Sequence, residues 1–391
     1  MKPSTKAPIR IALAGVGKMG LSHQAIVNAH PELKLVAICD PARYLRDIIA
    51  KYTGVATYSD YAQMLASEQL DAVLIATPSK LHAEMTRAAL ERNLDVFCEK
   101  PFCLDVDEGA RLVEMAERKG IVTQVGYHNR FLGTFQEAKH LVDAGVIGKV
   151  YHAKVECYGP VMIRQKGTTW RTAKGEGGGC LYDYACHGID LLTYLIGAPL
   201  SVSGSMLRSV FSTHIDDEVY SNLSYPDGTT ALVSANWSDE SFRKMSTTLT
   251  LWGKNGKIEA SRQELNIYLR ARVAERPELD VGWHKLYTTD LTKPVWFYLR
   301  GEEYSAQIDY FVNAIRERRV DSHCNARSAL ATDIVAEMIR KDAARAGIRV
   351  EDESAAIRPE AEAPLWPRGW RGVGESILRS PKAIANVLKG S

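Results

Sequence analysis

A short apolar run, Ile9 to Ala14, ends in three glycines at the spacing Gly15-Val16-Gly17-Lys18-Met19-Gly20 and passes into a helical pattern over Gly20 to Asn28. A strand that stops at a glycine turn and restarts as a helix admits few folds, because only glycine allows so tight a turn and so close a strand–helix approach. The alternation then repeats. Strands are expected at Leu33 to Cys39, Ala56 to Tyr58, Ala72 to Ala76, Asp95 to Cys98 and Val122 to Gly126, with helices over Tyr44 to Tyr52, Tyr61 to Ser67, Leu81 to Arg92 and Val106 to Lys119. Short buried strands alternating with helices predict a doubly wound parallel sheet, an α/β dinucleotide-binding domain.

The pattern changes after about residue 130. One helix, Thr134 to Ala144, leads to β-branched, alternating runs at Val150 to Tyr158, Ser201 to Phe211, Val219 to Tyr225, Thr229 to Trp237, Thr247 to Trp252 and Gly256 to Ala260. Turn signals such as Pro226-Asp227-Gly228 separate them, and consecutive strands without helices between them predict a large, mostly antiparallel sheet. Helices return at Glu303 to Arg318 and Arg327 to Ala346. The expected organisation is a nucleotide-binding domain at 1–130, a second α/β domain at 131–350 and an extension at 351–391. In that extension Arg368, Arg371, Arg379, Lys382 and Lys389 stand against Glu375 among scattered apolar residues. A disordered tail, an arm on a neighbouring subunit or a membrane-surface anchor would each carry such a pattern.

Composition excludes little but points one way. A net charge of +2 on 391 residues gives no global reason to expect nucleic acid. Seven scattered cysteines without a C-x-x-C pair read as reduced thiols. The polar start of the chain has no apolar signal core, and no run approaches a membrane span, so a cytoplasmic location is expected.

Each glycine of the loop has a use if a dinucleotide binds there. Gly15 permits the turn, Gly17 admits a pyrophosphate, Gly20 lets helix and strand pack, and Lys18 and Met19 open the helix whose dipole faces the phosphates. Asp40, 20 residues beyond Gly20, ends the second strand, where a carboxylate takes ribose hydroxyls and repels a 2′-phosphate. NAD is therefore expected over NADP, with Arg43 near enough to soften the preference; a solvated turn aspartate is the bland alternative. Further strand ends carry Ala76-Thr77-Pro78, with His82 on the next helix, and Glu99-Lys100-Pro101. A lysine there could polarise a substrate oxygen, or simply pair with Glu99 in solvent.

In the second half, Gly177-Gly178-Gly179 precedes a stretch, Leu181 to Leu195, that reads as one helix. On it Asp183 and His187 stand at i and i+4 and so share a face, as an acid–base pair in a cleft would. A surface pair, or metal ligation with Asp190, uses the same residues; no metal is expected, because no further ligand cluster accompanies them.

Taken in order, Ala14 to Gly20, Ala76-Thr77-Pro78, Glu99-Lys100-Pro101, Gly126 to Phe131, Ile147 to Val150 and Gly177 to Asp190 resemble the family of glucose–fructose oxidoreductase, inositol dehydrogenase and MocA (Gfo/Idh/MocA). The resemblance runs from about Ile9 to Gly347. It implies a Rossmann domain, a second domain whose open sheet supports homodimers or homotetramers, NAD(P), and substrates that are sugars, nucleotide sugars or cyclic polyols. By position Lys100 matches the family's catalytic lysine, Asp183 and His187 its carboxylate and general base, and Asp190 a helix-packing residue. Trp170-Arg171 resembles a substrate-contacting segment and Tyr304 a substrate-facing position. Two departures are Ala185, where glycine is frequent, and His128, where asparagine is common near the nicotinamide.

The expectation is thus hydride transfer between NAD and a secondary hydroxyl: His187 takes the proton, Asp183 orients His187 or the substrate, and Lys100 stabilises the alkoxide. Arg130, Arg164, Lys166, Arg171 and Lys174 would suit an anionic substrate. Two rivals are a redox glycosidase, in which a transient ketone permits elimination and NAD is restored, and a non-catalytic NAD-binding regulator, against which the presence of Lys100, Asp183 and His187 argues.

Overall fold

The computed structural model describes residues 7–161 and 176–346. The first sheet holds β1 (Ile9–Ala14), β2 (Leu33–Cys39), β3 (Ala56–Tyr58), β4 (Ala72–Ile75), β5 (Asp95–Cys98) and β6 (Thr123–Val125). They lie in the order β3-β2-β1-β4-β5-β6, all parallel, connected through α1 (Lys18–Ala29), α2 (Arg43–Thr53), α3 (Tyr61–Ser67), α4 (His82–Glu91) and α5 (Val106–Lys119). β4 and β5 are buried at every residue, as a parallel sheet covered on both faces requires. Strand order reverses between β1 and β4, so the crevice outside their carboxyl ends is where such a sheet takes a ligand. The helix ends are written locally. Asp105 accepts from the N–H groups of Asp107 and Glu108 at 2.9 and 3.0 Å to start α5, and Gly120, at φ +62°, stops it.

A turn at His128–Phe131 and α6 (Gly133–Asp143) lead to the second sheet. Its strands are β7 (Val150–Tyr158), β8 (Ser201–Arg208), β9 (Glu218–Ser224), β10 (Thr230–Asn236), β11 (Ser246–Gly253), β12 (Gly256–Ser261), β13 (Glu264–Leu269) and β14 (Gly282–Tyr287), in the order β14-β13-β12-β11-β7-β10-β9-β8. Every pairing is antiparallel except β7 with β10. Strict alternation buries one face, as in β11, against α7 (Cys186–Ile196) and α6. β13 and β14 were not anticipated, although Leu265, Ile267 and Leu269 alternate as an inward face should.

After the short α8 (Thr288–Leu291), α9 (Glu302–Glu317) crosses the boundary expected near residue 130. Its Ile308, Phe311 and Val312 pack with Ile9, Ile11, Leu13 and Phe97, while α10 (Ala326–Ala346) spans both halves between α5, α7 and β8. Among the described residues no helix is long and apolar enough to cross a membrane. The basic extension at 351–391 lies outside the described residues, as do Arg164, Lys166, Trp170, Arg171 and Lys174.

The crossing is fixed by an ion pair that corrects one expectation. Arg130, expected at a substrate, is 2% exposed, with Nε donating to Asp190 Oδ2 at 2.9 Å and Nη2 to Oδ1 at 2.5 Å. Its Nη1 donates to the His323 carbonyl and to Ser328 Oγ, and Thr332 Oγ1 donates to Asp190 Oδ1 at 3.3 Å. Burial alone would lower the guanidinium pKa, and Asp190 more than offsets it.

Arg130→Met strands Asp190 as a buried uncompensated charge, so a loss of about 3–5 kcal/mol in urea unfolding is expected, with much of it recovered in Arg130→Met/Asp190→Leu. A single variant that raised a substrate KM while keeping wild-type stability would return Arg130 to the binding site.

Candidate active site

The glycine loop lies against the end of β4. Gly15 has φ +87°, and a Cβ there would stand 2.6 Å from the Ala76 carbonyl oxygen and 3.0 Å from the Thr77 nitrogen. Gly20 faces the Gly15 carbonyl with no room for a side chain, whereas Gly17 opens onto space. α1 starts with neither a side-chain cap nor an acidic residue in its first turn, unlike α5. Uncapped N–H groups beside an open glycine fit a pyrophosphate. Asp40 is held at the rim by two backbone donors, Val16 N–H to Oδ2 and Ala42 N–H to Oδ1, each 2.8 Å. The residues present therefore fit a dinucleotide. Arg43 does not join Asp40: its side chain is 86% exposed and lies 3.6 Å from Asp47.

His82 departs from the expected cofactor contact. It is buried, with Nδ1 2.7 Å from the Pro101 carbonyl and Nε2 3.0 Å from the Thr77 carbonyl. The ring thus ties the loop Ala76-Thr77-Pro78 to the loop Glu99-Lys100-Pro101, and positions both.

Lys100 reaches across to the second half of the chain. Its Nζ donates to the Asp183 carbonyl at 2.8 Å and to Asp183 Oδ1 at 3.0 Å. Behind it, buried Glu99 meets His23 Nε2 at 2.6 Å, a partner on α1 that the sequence did not disclose. Burial pushes the Glu99 carboxyl up, but His23, Lys100 and His128 together hold it below the usual range. Gly126 makes room for this carboxylate, since a Cβ there would lie 2.7 Å from Glu99 Oε2.

Asp183 sits on a π-helical turn, Leu181–Ala185, that precedes α7; the uniform helix expected here is interrupted at the proposed site. The turn is anchored by Asp216, whose carbonyl accepts from Cys180 N–H at 2.8 Å and whose Oδ2 accepts from Leu181 N–H at 2.7 Å. The glycines before it are packed against protein: Gly179, at φ +112°, faces the Asp216 carboxylate, and Gly177 faces Ser79 and Leu104. His187 is 4% exposed, and its Nδ1 is buried with no hydrogen-bond partner among the described residues, so Asp183 does not grip that nitrogen. The geometry shown has Asp183 holding Lys100.

These groups share a cleft of about 1230 Å³, lined by Lys18, Met19, Glu99, Lys100, His128, Asp183, His187 and Tyr304, and also by Arg262 and Arg300. His128 lies flat on Tyr304, centroids 4.8 Å apart and 17° between planes, and edge-on to His187 at 4.9 Å. Burial, then the charges of Lys100 and Arg262, push the His187 pKa well below the usual imidazole value. Burial, His187 and Arg262 do the same to His128. Both rings are therefore neutral at pH 7. Arg262 and Arg300 went unnoticed because one sits in a hairpin turn and the other in a linker, neither with a motif. Among the described residues no group of His, Cys, Asp and Glu is placed to hold a metal ion.

Comparison with known proteins identifies the family and the fold. A family model described as oxidoreductase family, NAD-binding Rossmann fold, matches residues 9–127, and the GFO/IDH/MocA C-terminal domain matches 135–259. The chain is 33% identical over 199 residues to scyllo-inositol 2-dehydrogenase (NAD(+)) of Bacillus subtilis, covering 50% of this chain and 56% of that one. It is 26% identical over 262 residues to 2,7-anhydro-N-acetylneuraminate hydratase of Escherichia coli, covering 66% of this chain and 68% of that one. The alignment with the inositol dehydrogenase thus spans little more than half that enzyme's length. Levoglucosan dehydrogenase, solved with NADH and levoglucosan, superposes with a TM-score of 0.77 at 23% identity over 86% of this chain and 98% of its own, which shows the shared fold. With both family domains matched in series, this chain belongs to the Gfo/Idh/MocA oxidoreductase family, with its NAD-binding Rossmann fold.

Proposed function

We propose that the chain is an NAD-dependent dehydrogenase that exchanges a hydride with a secondary hydroxyl or ketone of a sugar or cyclic polyol. The observation that carries this is the meeting of the Lys100–Asp183 pair and a neutral His187 in one cleft with Lys18 and Met19 of the glycine loop. Relatives named inositol dehydrogenase and D-glucoside 3-dehydrogenase support the substrate class. The nicotinamide, when bound, supplies the hydride acceptor at C4. In oxidation His187 accepts the hydroxyl proton, and the Lys100 ammonium, fixed by Asp183, stabilises the oxygen as negative charge builds on it. The hydroxyl carbon loses its hydride and becomes a carbonyl. Asp40 supports NAD over NADP, because a 2′-phosphate would meet a carboxylate already held in place by Val16 and Ala42.

A second reading is favoured by the relative named a hydratase. Here the transient ketone acidifies the neighbouring C–H, elimination follows, and the hydride returns, leaving NAD unchanged. A steady absorbance at 340 nm during product release would identify it, whereas simple oxidation gives one NADH per product.

Lys100→Met and His187→Asn are each expected to lower hydride transfer by about 10²-fold or more while NADH affinity, read by fluorescence titration, is kept. Wild-type rates in Lys100→Met and His187→Ala would sink the proposal. The pH profile gives an independent check. A base whose pKa is lowered stays deprotonated further into acid, so the acid limb of kcat/KM should fall below pH 6.5, the ordinary imidazole value. A limb above that value would mean another group carries the proton.

A further inference from the structure

The cleft holds more positive charge than hydride transfer uses. Among the described residues its lining includes Lys18, Lys100, Arg262 and Arg300. Lys100 answers to Asp183, and Lys18 stands on the glycine loop beside the phosphate-binding backbone. Arg262 and Arg300 have no part in either task.

Arg262 is held in the cleft by a buried carboxylate, and Arg300 by the Tyr304 ring. Arg262, in the turn between β12 and β13, donates from Nη2 to Glu303 Oε1 at 2.5 Å, and Glu303 is 1% exposed in the first turn of α9. Arg300 precedes it by three residues with φ +68°, a left-handed backbone that a residue with a side chain enters at a cost. Gly301 follows at φ +149° and leaves its side-chain space to the Glu303 carboxylate. Arg300 thus turns back over the Tyr304 ring, 5.5 Å from its centroid, with Nε buried and lacking a hydrogen-bond partner among the described residues. Tyr304 stacks on His128, and His128 meets His187, so a line of contacts runs from this guanidinium to the proposed base. Arg262 is near enough for its charge to bear on both histidines. Among the described residues Glu303 answers Arg262 alone, and planar guanidinium forks match carboxylate and phosphate oxygens.

We infer that the substrate is an anionic sugar or polyol, whose carboxylate or phosphate is held by Arg262 and Arg300 while His187 addresses a hydroxyl of the same molecule. The assignment rests on the hydride-transfer function proposed for this cleft. Arg262 belongs to the second sheet and acts on the reacting histidines, whereas the uncapped start of α1 fits the pyrophosphate of the cofactor; this favours substrate over cofactor.

Calorimetry on the full-length, NADH-loaded protein at fixed ionic strength tests it with D-glucuronate, D-glucose 6-phosphate and D-glucose. At least one anion is expected to bind about ten-fold or more tightly than glucose, as one charge-assisted hydrogen-bond pair provides, and the two anions distinguish carboxylate from phosphate. Arg262→Gln and Arg300→Gln should each reduce that advantage about ten-fold and leave NADH affinity unchanged, the retained NADH site serving as the folding control. Anions binding no better than glucose would overturn the inference, as would variants that lose NADH and keep the preference for anions. Reduction of NAD+ by the same three sugars, followed on protein loaded with NAD+ in place of NADH, separates the two claims. Neutral sugars oxidised as well as anions remove the anion site and keep the dehydrogenase. Arg262-dependent anion binding without oxidation of any sugar keeps the anion site and removes the dehydrogenase.

Discussion

The contact from Lys100 to Asp183 joins the end of the parallel sheet to the helix that lies on the antiparallel one. Both side chains are largely buried, at 12% and 5% exposure, and each helps to satisfy the other there, together with the Asp183 carbonyl. Much of the surrounding structure is arranged to keep the two facing each other. His82 fastens the two strand-end loops, Glu99 and His23 brace the lysine from behind, and Asp216 fixes where the π-helical turn begins. The extra residue per turn in that segment changes where Asp183 points without altering α7 beyond it.

The same pair sets the electrostatics of the cleft. Burial disfavours the charged form of His187, the Lys100 ammonium and Arg262 add to the effect, and the imidazole stays neutral. A neutral imidazole next to a held cation is the state that hydroxyl oxidation calls for. The proton has an acceptor, and the oxygen it leaves has a counter-charge. His128 has no such task in the proposed step; stacked between Tyr304 and His187, it gives the reacting ring a neutral, rigid wall.

What was legible in the sequence is what is local. The glycine spacing, the strand ends at Asp40 and Lys100 and the pairing of Asp183 with His187 all lie within a few residues of a recognisable element, and the structure brings Lys100, Asp183 and His187 into one cleft. What escaped depends on partners far away in the chain. Arg130 sits among site motifs, but its fate is decided by Asp190, 60 residues on. The glycines at 177 and 179 look made for a ligand until Ser79 and Asp216 arrive beside them. Arg262 and His23 carry no motif at all; each matters because of a glutamate on another element.

The return of α9 into the first core explains why the site cannot be assigned to either half. Ile308 and Phe311 are drawn under the parallel sheet by apolar packing, and the start of the same helix then delivers Arg300, Glu303 and Tyr304 to the cleft. Burial of one end of α9 therefore sets the position of the other. Since helix α9 is anchored among Ile9, Leu13 and Phe97 while Arg262 rides on the second sheet, the Arg262–Glu303 bond is a second bridge between the halves, beside Lys100–Asp183. Two charged bridges lining one cleft fix the distance between the glycine loop and His187. That distance is what hydride transfer is most sensitive to, because the reacting carbon and the nicotinamide must meet within van der Waals contact before any proton is moved.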